Sequence, residues 1–191
     1  RPEAAPDFPD DLTGYTISTL QTRLTPVAEG VKIQLYSGDA RLIPTQNNPN
    51  NFQQLIDQRP YRVVLNGLPE QLKIESAKLG STELGLDDLT RDSFSFPPIF
   101  SSAYNQVLTI TLTERTSYTV TYDAGGGIFG EGAETSRAVY PGDIIKLPYQ
   151  FTLGLKKEGQ VFRGWLLDGT DEIYQPGVSY TVQGETKFIA Q

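Results

Sequence analysis

The stretch VLTITLTE at residues 107–114 decides the class of fold. Leu108, Ile110 and Leu112 alternate with Val107, Thr109 and Thr111. A period of two puts the larger aliphatic set on one face of a strand and the threonines on the other. The pattern predicts a sheet with one buried and one wet face. Working outward, similar β-branched or alternating runs recur at YTIST 15–19, VKIQLY 31–36, YRVVLNGL 61–68 and LKIESAKL 72–79, with turn residues between them. QNNPNN at 46–51 and SFPPIFSSAYN at 95–105 read as surface loops because Pro and Asn interrupt regular structure there. Only FQQLID at 52–57 and LDDLTRD at 86–92 have helical spacing, and both are short.

The pattern pauses at ERTS, residues 114–117, and resumes in YTVTYDAGGG 118–127, AVYPGDIIKLP 138–148, FTLGLKKEG 151–159, QVFRGWLL 160–167 and SYTVQGETKFIAQ 179–191. A domain boundary is expected at that pause. The chain is therefore read as mainly β, with a β-sandwich over residues 12–116 and a smaller domain over 117–191. Residues 1–11, RPEAAPDFPDD, combine three prolines with four acids and read as a linker or loose terminus. The opening Arg-Pro-Glu, without an initiator Met or apolar signal core, reads as a mature or excised chain.

Composition narrows the chemistry. The 191 residues contain neither His nor Cys. Disulfides, thiolate metal sites, cysteine nucleophiles and the commonest general base are thereby excluded. Sixteen basic against 23 acidic residues give a net charge of -7. That charge opposes docking on nucleic acid or anionic membrane. No run is long and apolar enough for a transmembrane helix. The expectations are no enzyme, no cofactor, no metal, no nucleic acid, no membrane insertion and a monomeric state.

Several motifs invite a sharper reading. Gly125, Gly127 and Gly130 spell G-x-G-x-x-G after a predicted strand. A dinucleotide site needs a helix to open there, whereas GEGAETSRAVYPG runs into Pro141, so the glycines are assigned to turns. The acid groups Asp10-Asp11, Asp87-Asp88-Asp92 and Asp168-Asp171-Glu172 match no spaced calcium loop and are read as solvated. Aromatic rings can stack on sugars. Tyr61, Tyr104 and Tyr174 are the candidate ligand-binding residues, and Trp165 is assigned to the core.

Residues 118–191 resemble a Listeria-Bacteroides repeat, the B-repeat module of internalin-type bacterial surface proteins. The resemblance is carried in order by Val120-Thr121-Tyr122-Asp123-Ala124 with Gly125, Gly126 and Gly127, by Tyr140-Pro141-Gly142 with Leu147-Pro148, and by Gly159, Phe162, Gly164 and Trp165. Tyr174, Pro176 and Gly177 follow, then Thr186, Phe188 and Ala190. Two departures stand out: GIFGEGAETS at 127–136 lengthens the first hairpin, and the usual terminal Trp is absent because the sequence stops at Gln191. The resemblance implies a small β-grasp-like fold with one short helix within 149–158, and core roles for Phe162 and Trp165. Residues 12–116 resemble either a generic immunoglobulin-like sandwich or the β-sandwich appended to some glycoside hydrolases.

The resemblances imply a non-enzymatic module of a bacterial secreted or cell-surface protein, extracellular in location, acting as spacer and protein-binding or adhesion domain. The partner is a protein or a cell-wall glycan. The alternative is a carbohydrate-binding accessory region of an extracellular glycoside hydrolase, and a calcium-stabilised adhesion module is a third reading.

Overall fold

The computed structural model describes residues 14–56, 58–98 and 106–191. The linker expected at 1–11, the candidate Tyr104 and most of the expected loop at 95–105 lie outside them. The chain divides into two compact units, Arg1–Arg115 and Thr116–Gln191. Among the described residues the structure is all strand and turn, with no helix.

The first unit contains β1 (Ile17–Thr25), β2 (Lys32–Ser37), β3 (Ala40–Arg41), β4 (Asn51–Ile56), β5 (Tyr61–Asn66), β6 (Leu72–Leu79), β7 (Thr82–Glu83), β8 (Ser93–Phe96) and β9 (Gln106–Glu114). One sheet runs β4-β1-β9-β6-β7 and the other β3-β2-β5-β8. Among the described residues of the unit only β1 and β9 pair in parallel, and the other ladders are antiparallel. In β9 the side chains of Leu108, Ile110 and Leu112 are buried while the alternate positions are only partly covered. Both sheets feed one apolar cluster, including Leu20 and Leu108 from the first and Leu35, Val63 and Phe94 from the second. Burying each such side chain contributes about 1.5–3 kcal/mol.

Two stretches of this unit differ from their sequence pattern. The helical spacing of FQQLI does not make a helix: residues 51–56 are β4, and LDDLTRD at 86–92 holds no helix either. Phe52, Leu55 and Ile56 are buried at helix-like spacing because β4 carries a bulge. Two steps along β1, from Ser18 to Leu20, oppose three along β4, from Leu55 to Phe52. Gln54 absorbs the extra residue at φ 59°. The stretch assigned to a loop from Ser95 onward begins inside β8, where Phe94 and Phe96 point into the core. β8 stops where Pro97 removes a ladder donor.

The second unit contains β10 (Tyr118–Asp123), β11 (Ser136–Val139), β12 (Ile144–Lys146), β13 (Trp165–Leu167), β14 (Ile173–Tyr174), β15 (Ser179–Thr181) and β16 (Thr186–Ala190). The main sheet is ordered β11-β10-β16-β13-β14, and β12 pairs with β15 in a two-stranded ribbon. The first and last strands of the unit, β10 and β16, are parallel neighbours inside the sheet. Val120, Val139, Ile145, Leu147, Leu153, Trp165, Val182 and Phe188 form its core.

The helix expected within 149–158 is absent, and residues 150–154 form turns instead. Their bonds run from Thr152 N–H to Tyr149 O and from Gly154 N–H to Phe151 O. The physical reason lies in the lengthened first hairpin. Ile128 N–H donates to Lys156 O and Lys156 N–H to Ile128 O, while Gly130 N–H donates to Leu153 O. Those backbone groups are the ones a helix would have used internally. Gly154 also sits at φ 59°, so close to Gly130 that a Cβ would meet its Cα at 2.8 Å.

Candidate functional site

The richest surface of the second unit grows out of the turn that follows β10. Asp123 Oδ1 accepts the Gly125 N–H at 2.8 Å, an Asx turn that sends the chain back over the end of β16. Gly125 has φ 62°, and a Cβ there would overlap the Ala190 carbonyl oxygen. No L side chain fits the position. Gly127 lies equally close to the next segment, where a Cβ would meet Lys156 O at 2.6 Å. Lys157 Nζ donates to Gly125 O at 3.0 Å and straps the turn from the other side. The Asp123 carboxyl is held below its ordinary range, first by the Gly125 N–H bond and then by Lys187, whose Nζ stands 3.4 Å away.

These contacts shape an open cleft of about 1060 Å³ between the glycine turn, the 155–162 segment and the end of β16. Leu155, Phe162, Ile189 and Ala190 contribute apolar lining. Ile128 and Val161, also in the lining, leave 68% and 83% of their surface in solvent. Lys156, Lys157 and Glu158 are the charged lining residues, and Gln150, Gln160 and Gln191 supply amides.

The residues singled out in the sequence fall into distinct places. Gly125, Gly126 and Gly127 form the turn at the cleft, whereas Gly159 ends the turn before Phe162. Trp165 is fully buried, and its indole N–H donates to Pro148 O at 2.9 Å. Phe162 is half-buried and packs edge-on against it, ring centroids 5.1 Å apart. Gly164, at φ 135°, lies against Tyr174 O, which a Cβ would meet at 2.8 Å. Pro176 and Gly177 turn the chain between β14 and β15, and Gly177 N–H donates to Leu147 O at 2.7 Å.

Tyr61 is not a ligand platform. It is 4% exposed, and its hydroxyl accepts the Ile56 N–H at 2.8 Å inside the first unit's core. Tyr104 lies outside the described residues. Tyr174 is half-buried, with its ring edge-on to Tyr180 and Phe188. Its hydroxyl donates to Glu172 Oε2 at 2.8 Å, and that bond is the first cause of its raised pKa. Tyr61 belongs to the first unit and Tyr174 to the second. Among the described residues no group of three or more acids is placed to hold a metal ion.

Sequence reasoning missed two accessible apolar features of the second unit. One is the cleft, whose available signals were the Lys156-Lys157 doublet in an acidic chain and the lengthened hairpin. The other is Tyr149 and Phe151, exposed and stacked in parallel with centroids 5.2 Å apart.

The second unit is thus a small all-β module whose glycines and aromatics serve its turns and core. Residues 118–191 match the family model of the Listeria-Bacteroides repeat domain. Domains of this family occur in bacterial surface proteins. No curated protein matches the chain. Among the described residues no helix is long and apolar enough to cross a membrane.

Proposed function

We propose that the chain is a non-enzymatic part of a bacterial secreted or cell-surface protein, acting as a spacer and protein-binding module outside the cell. The observation that carries this reading is the family match over 118–191, in a unit whose motif residues serve turns and core. Two units, each with its own apolar cluster, suit a spacer. An accessible apolar cleft suits capture of another polypeptide. The carbohydrate-binding alternative draws on one observation, the exposed stacked rings of Tyr149 and Phe151.

The test is a binding screen of the purified chain against immobilised extracellular and cell-wall proteins and against a glycan array, with calcium and with chelator. Saturable binding to a protein, indifferent to chelator, is expected. Binding confined to glycans and abolished by Phe151→Ala would replace this reading with the carbohydrate one.

A further inference from the structure

We propose that the cleft beside the glycine turn of the second unit is the docking groove for an extended acidic peptide segment of a partner protein. The inference rests on the protein-binding reading above and adds where the partner sits and what chemistry it presents. Size and shape come first. At about 1060 Å³ and partly open to solvent, the cleft stands at the top of the range for small-molecule pockets. It suits a chain segment better than a single small ligand.

Charge decides the chemistry. The second unit carries six basic and nine acidic residues, yet two lysines face one glutamate in the cleft lining. Lys156 and Lys157 are exposed beside the apolar side chains of Ile128 and Val161. A segment alternating acids with aliphatic residues would meet both, its carboxylates on the ammonium groups and its side chains on the apolar rim. A sugar is the poorer fit. Phe162 is the one aromatic in the lining, and its ring is committed edge-on to Trp165.

The groove is also preformed. Gly125 packs on Ala190 and Gly127 on Lys156, each too close for a Cβ. The Ile128–Lys156 bridge ties the two walls together. A rigid wall lowers the ordering cost of binding.

The probe is a labelled octapeptide alternating Asp or Glu with Val or Leu, titrated into the full chain and followed by anisotropy and amide NMR. Its controls are the same peptide with Lys at each acidic position and a hyaluronan oligosaccharide. Saturable binding of the acidic peptide is expected, with shifts at 125–128, 156–162 and 189–191, weakening as salt is added. Lys156→Gln with Lys157→Gln should weaken it roughly three- to tenfold. Lys157 also straps the turn, so Val161→Ser, at a site 83% exposed, provides a second variant that leaves the fold alone and should weaken binding too. Equal binding of the basic peptide, shifts outside the cleft, occupation by the oligosaccharide, or no saturation would each overturn the assignment. A protein from the screen that binds both variants undiminished would sink the cleft while sparing the protein-binding reading. A screen without protein binders would sink that reading by itself.

Discussion

Tyr61 shows how one polar atom is placed in an apolar core. Its hydroxyl is the acceptor for the buried Ile56 N–H, a donor that would otherwise face hydrocarbon. Tyr61→Phe keeps the ring and orphans that donor, which costs about 1–3 kcal/mol. Denaturant unfolding of the full chain should register the loss, and an unchanged midpoint for the first unit would contradict it. Burial also raises the Tyr61 pKa above 10.0, outweighing the Ile56 bond and the charge of Arg59, which lower it. A raised folded pKa leaves the stability intact below the ordinary tyrosine range and erodes it as pH climbs through the shifted value. The Phe variant should therefore lack this part of the alkaline loss. The burial was legible in the sequence, since Tyr61 is in phase with Val63 and Leu65 along β5, and all three are buried. Trp165 was read correctly as core, but its Pro148 partner lies 17 residues away and has no signal in the sequence.

At the scale of elements, the turn joining β10 to the cleft wall depends on a charged group. Asp123 is held ionised by the Gly125 N–H and then by Lys187, and a lowered folded pKa has a definite sign. Its contribution is complete above the ordinary carboxylate range and is lost as pH falls through the lowered value. Thermal unfolding followed by Trp165, the chain's single tryptophan, should show acid destabilisation of the second unit, and Asp123→Ala should flatten that limb. Identical acid limbs in the two proteins would contradict the assignment. Elements differ in how plainly they were written. β5 and β9 show a clean period of two because one face is buried throughout. β4 hid its period behind the bulge at Gln54, and β3, β7 and β14, two residues each, are too short to have one. The missing helix at 149–158 was beyond local reading, because distant residues of the lengthened hairpin claim its backbone bonds.

For the molecule as a whole, the mainly β character was legible because alternation is local, while the cleft was not, because it joins segments 124–128, 150–162 and 189–191. The same non-local closure governs how the second unit folds. β10 and β16 are the ends of that unit and pair in parallel inside its sheet, so the last strand separates β10 from β13 and supplies Phe188 to the core. Parallel pairing of chain ends commits the unit to fold as a whole, since loop closure precedes any reward from the contacts. With its own core, residues 116–191 expressed alone should fold and keep Trp165 in an apolar setting, with stability of a few kcal/mol, as expected of a domain this small. Deleting 186–191 should remove the central strand and the Phe188 ring together, shifting the Trp165 emission to that of a solvated indole and abolishing cooperative unfolding. A truncated unit that still melted cooperatively with a buried Trp165 would mean that β10, β11, β13 and β14 can form a sheet without the strand between them, and the closure argument would fail.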